Sequence, residues 1–291
     1  MKVVVTGAAG KLGARVCAHL LAHGHEVTAT DRRHRAGVGT RFVLADLCDD
    51  IAVYGLLEGC EAVVHSGNHP NLYAAGSAQR VLTENTAMNA NVFRAALDIG
   101  VRRIVFASSV QAVIRIDDGL RVEAPFPIPY LPLDGAAPTN PGRNSYALSK
   151  EFGERMLRLM SEAHPDLAAT SLRFPGLVSE QWLERFTAGG KPALRSHFNF
   201  GELLAYLMFS DAAELVRATL ERQQPGYHQY FPAQCLEVRG VSVAELVQEF
   251  YPSVPLRCPV EQLASLVDIQ AITDALGWSP GTPASIRFAD G

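Results

Sequence analysis

Tyr146 and Lys150 stand four residues apart in Ser145-Tyr-Ala-Leu-Ser-Lys150, a spacing that on a helix puts a phenol and an ammonium on one face. A phenol near neutral pH can exchange a proton with a carbon-bound hydroxyl only if its pKa, about 10 when free, falls by roughly three units, or about 4 kcal/mol. The neighbouring ammonium supplies part of that shift. Such a pair is common on surface helices; here it follows a proline-rich loop and lies in the helix after a strand, Arg103-Ile-Val-Phe-Ala107, that ends in Ser108-Ser109. Ser109 is then placed to hold a substrate hydroxyl or carbonyl in line with Tyr146. The chemistry indicated is proton transfer at an alcohol or ketone carbon.

Such chemistry needs a hydride carrier, and the first thirteen residues offer a place for one. Met1-Lys-Val-Val-Val-Thr6 is a β-branched strand, Gly7-Ala-Ala-Gly10 a turn, and Leu12 to Ala22 an alanine- and leucine-rich helix. Gly7 permits the tight turn, Gly10 lacks the Cβ that would strike a pyrophosphate, and Gly13 lets helix and strand pack closely. The helix N-terminus faces the anion with unpaired N–H groups. Asp31 follows 18 residues after Gly13, at the end of a second apolar strand over 25–30. Its carboxylate suits the ribose hydroxyls of a dinucleotide and repels a 2′-phosphate, so NAD is expected over NADP, although Arg32 and Arg33 offer that phosphate two partners. The positive ring of an oxidised nicotinamide would complete the lowering of the Tyr146 pKa.

Further strands are expected over 41–45, 61–65, 103–107 and 168–174, with helices over 50–57, within 72–99, and over 145–160. Six strands alternating with helices predict an α/β, doubly wound parallel sheet of Rossmann type with ligand at the carboxyl ends of the strands. Beyond Pro175-Gly176 the alternation loosens: helices are expected over 180–186, 201–208, 211–222, 243–250 and 269–276, with a strand over 227–231. The expected division is a dinucleotide-binding domain over 1–175 and a small, mainly substrate-binding C-terminal lobe over 176–291. Residues 110–144 carry Pro125, Pro127, Pro129, Pro132, Pro138 and Pro141, and a loop of that length reads as a lid or binding segment.

The 291 residues carry a net charge of -4, with basic residues dispersed apart from Arg32-Arg33-His34-Arg35, so no nucleic-acid partner is expected. Five widely spaced cysteines without a Cys-x-x-Cys pair read as reduced thiols. With no apolar run near about 18 residues and no signal segment before the first strand, a cytoplasmic protein with no membrane partner is expected. His19, His23 and His25 read as solvated surface residues, and His65 and His69 as loop histidines near the cofactor; no metal is expected. Trp182, Arg185, Arg195 and His197 fall in the variable substrate region, where either arginine suits a substrate carboxylate.

Taken in order, Thr6-Gly-Ala-Ala-Gly-Lys-Leu-Gly13, Asp31, Asp46-Leu47, Asn85, Phe106-Ala-Ser-Ser109, Tyr146-Ala-Leu-Ser-Lys150 and Arg173-Phe-Pro-Gly176 resemble the extended short-chain dehydrogenase/reductases, the NAD-dependent epimerase/dehydratase family. The resemblance spans about residues 1–230, and Leu276-Gly-Trp278 is also family-like. It implies Tyr146 as general acid/base, Lys150 on the nicotinamide ribose and lowering the Tyr pKa, and Ser109 orienting the substrate. The cofactor set it implies is Gly7, Ala9, Gly10, Lys11, Leu12, Gly13, Asp31, Arg32, Asp46, Leu47, Ser66, Gly67, Asn85, Ser108, Tyr146, Lys150, Phe174 and Pro175. Asp46 and Leu47 would lie at the adenine, and Ser66 and Gly67 beside ribose and phosphates.

Departures narrow the activity. Val110 and Gln111 replace the Asp-Glu pair of the dehydratases, which disfavours elimination; Ala112-Val-Ile114 and Gly176 also depart from the usual residues. The resemblance therefore implies an NAD-dependent oxidoreductase acting on a sugar or sugar-acid hydroxyl, in the manner of a uronate dehydrogenase. The alternatives are a sugar epimerase with the same triad and, from another class, a dinucleotide-sensing regulator. A homodimer paired through the helices near 80–99 and 145–160 is expected.

Overall fold

The computed structural model describes residues 1–37, 39–114, 127–188, 201–281 and 283–286, with backbone alone for 185–188. The β-branched runs become strands and the alanine- and leucine-rich segments between them become helices: β1 (Lys2–Thr6), α1 (Lys11–Ala22), β2 (Glu26–Asp31), β3 (Arg41–Leu44), α2 (Asp50–Leu57), β4 (Ala62–His65), α3 (Ala78–Asp98), β5 (Arg103–Ser109), α4 (Ser145–Ala163) and β6 (Ala168–Phe174). They are followed by β7 (Gly176–Val178), α5 (Glu180–Ala188), β8 (Ala205–Met208), α6 (Phe209–Arg222) and β9 (Gly226–Tyr230). The chain closes with β10 (Gln234–Cys235), β11 (Glu237–Val238), α7 (Val243–Phe250), α8 (Gln270–Leu276) and β12 (Ser285–Ile286).

Seven strands form one sheet in the order β3-β2-β1-β4-β5-β6-β9, every pair parallel. This is the doubly wound, Rossmann-type α/β sheet expected, extended by β9. On one face Val3, Val5, Val16, Cys17 and Leu20 pack with Ala212, Leu215 and Val216 of α6. On the other, Val4, Val63, Ile104 and Phe106 pack with Val53 of α2, Val92 and Phe93 of α3, and Leu157 of α4. The strand order reverses between β1 and β4, so their carboxyl ends open the crevice where such sheets take ligands.

A second core lies beside this edge of the sheet. A three-stranded sheet, β10-β8-β7, sits with Leu246 and Tyr251 against Ile128, Leu131 and Leu133 of the proline-rich loop. The described part of that loop is a strap stitched to the lobe. Leu131 N–H donates to Pro255 O and Arg257 N–H to Leu131 O, each at 2.8 Å; Leu133 N–H donates to Leu266 O at 2.9 Å and Asp268 N–H to Leu133 O at 2.8 Å.

The structure corrects several expectations. Residues 201–208 are not a helix. Gly201 to Leu204 form a turn in which Leu203 and Leu204 take positive φ (62° and 54°), and Ala205–Met208 is strand β8. A short apolar run satisfies either period, and pairing with β7 and β10 decides it. The long helix expected within 72–99 starts at Ala78, where the Ser77 side chain accepts the Arg80 N–H at 3.2 Å. His65, read both as the end of the strand over 61–65 and as a loop histidine near the cofactor, is the fully buried last residue of β4. His19 and His25 are half-buried, and only His23 of that trio is exposed. All five cysteines are free thiols.

Candidate active site

The loop from β1 to α1 is shaped by close backbone approach. A Cβ on Gly7 would lie 2.5 Å from Ser66 O, and one on Gly13 2.3 Å from Gly7 O; Gly7 also has φ of 71°. Ordinary side chains cannot occupy those contacts, so the turn packs on the β4 exit and α1 on the turn. A Cβ on Gly10 would meet Gly7 O at 3.1 Å and otherwise open space, and no side chain caps α1 there. The first-turn N–H groups thus face the cleft, as an anion site requires. Asp31 is tied to this loop: Oδ2 accepts the Ala9 N–H and Oδ1 the Arg33 N–H, both at 3.2 Å. These features fit the pyrophosphate and ribose of a dinucleotide.

One cleft of about 720 Å³ brings together Gly7, Gly10, Lys11, Leu12, Gly13, Asp31, Arg32, Leu47, Ser66, Gly67, Ser108, Ser109, Tyr146, Lys150, Phe174 and Pro175. Three expected cofactor residues do not line it. Ala9 contributes its N–H to Asp31. Asp46 is exposed and closes a turn, its Oδ1 accepting the Cys48 N–H at 2.9 Å. Asn85 is buried as a brace: Oδ1 accepts the His69 N–H at 2.7 Å and Nδ2 donates to Ser149 Oγ at 3.0 Å. The walls include His69, read from the sequence as a loop histidine near the cofactor, together with Asn68, Leu177, Glu202 and Phe209, which sequence reasoning did not single out for the site. Asn68 follows Ser66-Gly67 directly, a signal that was available; Glu202 sits in the stretch read as a helix, which hid it.

Asn144 caps α4, its Oδ1 accepting the N–H groups of Tyr146 (3.0 Å) and Ala147 (3.1 Å), and so fixes the first turn where Tyr146 stands. Lys150 lies one turn on, 3% exposed, with Nζ donating to Ala107 O at 2.7 Å and Asn68 Oδ1 at 2.9 Å. The same Nζ lies 4.9 Å from the Phe106 ring centroid and 5.6 Å from that of Tyr146. Burial pushes the Lys150 pKa down to about 7, against the pull of Glu154. Burial also pushes the Tyr146 phenol up to about 12; a hydrogen bond with Ser109 lowers it and the Glu202 charge raises it. The expectation that Lys150 lowers the phenol is therefore not met by the chain alone. The ammonium is turned to Asn68 and Ala107, and the Tyr146 side chain is half-buried in the cleft wall. Ser109 Oγ accepts the Gln111 N–H at 3.2 Å, whereas Ser108 Oγ donates to Glu154 Oε1 at 2.6 Å.

A buried relay holds these walls together. Thr6 Oγ1 accepts the N–H groups of Ser66 (3.1 Å) and Gly67 (3.0 Å) and donates to His65 Nδ1 at 2.8 Å. His65 Nε2 then donates to Asn89 Oδ1 at 3.0 Å, and Asn89 Nδ2 to Ser149 O at 3.1 Å. This tautomer needs a neutral ring, and burial with the nearby Lys150 charge holds the His65 pKa down at about 3. The unfolded chain takes up this proton near pH 6.5 and the folded chain only near 3, so acidification through that window costs on the order of 5 kcal/mol. The stability advantage of wild type over His65→Gln is therefore expected to shrink by about 1.4 kcal/mol per pH unit below pH 6. Urea unfolding of both proteins between pH 7 and 5 measures it, and a constant difference would contradict the neutral relay.

Among the described residues no group of three or more His, Cys, Asp or Glu is placed to hold a metal. Trp182 lies partly exposed on α5; the Arg185 side chain, Arg195 and His197 lie outside the described residues.

A glycine-rich phosphate loop at the switch point of a doubly wound parallel sheet, with serine, tyrosine and lysine in the same cleft, defines an extended short-chain dehydrogenase/reductase fold and site. The chain belongs to the NAD dependent epimerase/dehydratase family, whose model matches residues 3–215. It is 28% identical over 199 residues to the NAD-dependent glucose-6-phosphate dehydrogenase of Haloferax volcanii, covering 64% of this chain and 72% of that protein. It is 30% identical over 156 residues to the uronate dehydrogenase of Pseudomonas putida, covering 53% of each. The chain thus spans about half of the length of the second. The fold matches a crystal structure of UDP-glucose 4-epimerase from Bifidobacterium longum in complex with NAD+ and UDP, with a TM-score of 0.69, 18% identity, and coverage of 97% of this chain and 94% of that one.

Proposed function

We propose that this chain is an NAD-dependent oxidoreductase acting on a hydroxyl of a sugar or sugar-like compound, with Tyr146 as its acid/base. The observation that carries this reading is the convergence of Ser109, Tyr146 and Lys150 on the cleft that the glycine loop opens. Relatives named as glucose-6-phosphate and uronate dehydrogenases support the substrate class. When bound, the dinucleotide supplies the hydride acceptor and, oxidised, a positive charge. Ser109 Oγ orients the substrate hydroxyl, Tyr146 takes its proton, and Lys150, braced by Asn68 and Ala107, binds the ribose. Val110 is buried and apolar and Gln111 cannot titrate, so the cleft lacks the extra acid and base of a dehydratase at these positions. Residues 1–175 then carry the dinucleotide and 176–291 mainly the substrate, with α6 and β9 returning to the sheet. The test is NAD reduction followed across a panel of sugars and sugar acids, repeated with the Tyr146, Lys150 and Ser109 variants.

For the cofactor, Asp31 at the cleft wall is expected to favour NAD over NADP, against Arg32 and Arg33 on the same wall. Fluorescence titration should show tighter binding of NAD, and tighter NADP binding would reverse the assignment. Asp31→Ala should narrow the gap by removing the charge that opposes a 2′-phosphate.

A homodimer through α3 and α4 is the quaternary state we infer. Phe152 (40% exposed) and Leu159 (56% exposed) lie seven residues apart on one face of α4, beside α3. On α3, by contrast, Val81, Met88, Val92, Phe93, Ala96 and Leu97 are all buried within the chain, so α4 would carry most of the apolar contact. Sedimentation at micromolar concentration is expected to show a dimer that Phe152→Glu dissociates; a wild-type monomer removes the idea. Among the described residues no helix is long and apolar enough to cross a membrane.

A further inference from the structure

The cleft wall contains a carboxyl group that the proposed chemistry does not use. Glu202 lies on the turn before β8 and is 6% exposed, yet it lines the same cleft as Ser109, Gln111 and Tyr146. Its one hydrogen-bonding side-chain partner among the described residues is Gln111, whose Nε2 stands 3.4 Å from Oε1, a long contact. Burial pushes the Glu202 pKa up to about 7, and Gln111 opposes this. Its charge is felt by Tyr146 from α4.

The backbone that presents it is strained. Leu203 and Leu204, both fully buried, follow Glu202 in left-handed conformations (φ 62° and 54°), which are unfavourable for a residue with a Cβ. The turn closes through Ala205 N–H to Glu202 O at 2.9 Å, and Leu236 N–H to Leu204 O at 2.9 Å anchors it to the lobe. A nearly buried polar side chain left with one weak partner on the cleft wall, on a turn that the core holds in an unfavourable shape, is what a ligand-binding acceptor looks like before its ligand arrives.

We propose that Glu202 is a specificity residue of this cleft: beside Gln111, its carboxylate accepts a hydrogen bond from a substrate hydroxyl neighbouring the one that reacts. The site accordingly takes a neutral polyhydroxylated substrate, an uncharged aldose, in preference to its carboxylate-bearing counterpart. An ionised carboxylate can only accept, so a hydroxyl suits it and a substrate carboxylate at the same place meets like charge. This rests on the dinucleotide-cleft reading given above and narrows its substrate class.

Ligand-observed NMR on the NAD-saturated protein at pH 8, with D-glucose and D-galactose against D-glucuronate and D-galacturonate as probes, reads binding without requiring turnover. In wild type the better neutral sugar is expected to bind about tenfold or more tightly than its uronate. Glu202→Gln, which keeps the shape and removes the charge, should bring that ratio to about one. NAD affinity, titrated in the same samples, should be unchanged in the variant. A uronate preference in wild type, a ratio unmoved by Glu202→Gln, or no binding by any of the four sugars overturns the proposal. Failure of the underlying reading shows separately, as failure of NAD itself to bind.

Discussion

Tyr146→Phe is expected to leave dinucleotide affinity near the wild-type value while turnover falls by about 10² or more, the scale of a lost general base. The substitution removes one oxygen and keeps the ring. That ring packs over Lys150 Nζ, and the ammonium's hydrogen bonds go to Asn68 and Ala107, so the groups that would hold the ribose stay in place. Lys150→Ala should instead damage both affinity and turnover, and Ser109→Ala mainly turnover and substrate affinity. Because burial, with the Glu202 charge and against the Ser109 hydrogen bond, pushes the phenol up to about 12, activity should rise with pH wherever the phenolate is limiting. Steady-state kinetics on one confirmed substrate, with cofactor titrations alongside, distinguish the three patterns. Retention of most activity by Tyr146→Phe would falsify the assignment even with the fold correct.

Glu154→Ala is expected to cost about 3–5 kcal/mol of stability, the range for breaking a buried ion pair from one side. Arg173 on β6 is fully buried and meets Glu154 with both prongs of its guanidinium: Nε to Oε1 at 3.0 Å and Nη2 to Oε2 at 2.7 Å. Nη1 of the same arginine donates to the carbonyls of Gly135 (3.0 Å) and Ala137 (2.6 Å) in the strap, and Ser108 donates to Glu154. Removing the carboxylate strands a desolvated cation with two carbonyls and a long contact to Gln229 Oε1 (3.4 Å) for company and frees Ser108 beside the cleft. Urea unfolding measures the loss. A Glu154→Leu, Arg173→Met double variant should recover much of it, since neither charge is then buried alone; an equal loss in single and double variants would show that packing, not charge, sets the cost.

The parts of this site legible in the sequence are those specified locally. Strand, glycine turn and helix follow one another within thirteen residues, and each glycine's role is a contact with its immediate neighbours or the next strand. Tyr146 and Lys150 are joined by helical spacing alone. What escaped detection depends on distant partners. Residues 201–208 carry no period that separates helix from strand, and β7 and β10 make the choice, so Glu202 was invisible. The lowered Lys150 pKa comes from burial that no spacing encodes. Asn85 and Asp46, taken from family resemblance, brace a loop and close a turn, uses the residue types permit equally well.

The strap from residue 127 to 144 has a bearing on how the chain can be cut. Its Leu131 and Leu133 pair with backbone near 255–257 and 266–268, while Arg173 grips its carbonyls from the sheet. β9 and α6, from beyond residue 175, complete the sheet and cover one of its faces. A fragment ending at residue 175 would therefore expose the helix-covered face around α1 and leave the strap without its partners, despite holding every glycine of the phosphate loop. The two halves are interlaced by exchange of segments, so a library of shortened or recombined proteins should find tolerated junctions only where both the strap and the returning α6–β9 segment are inherited from the same parent.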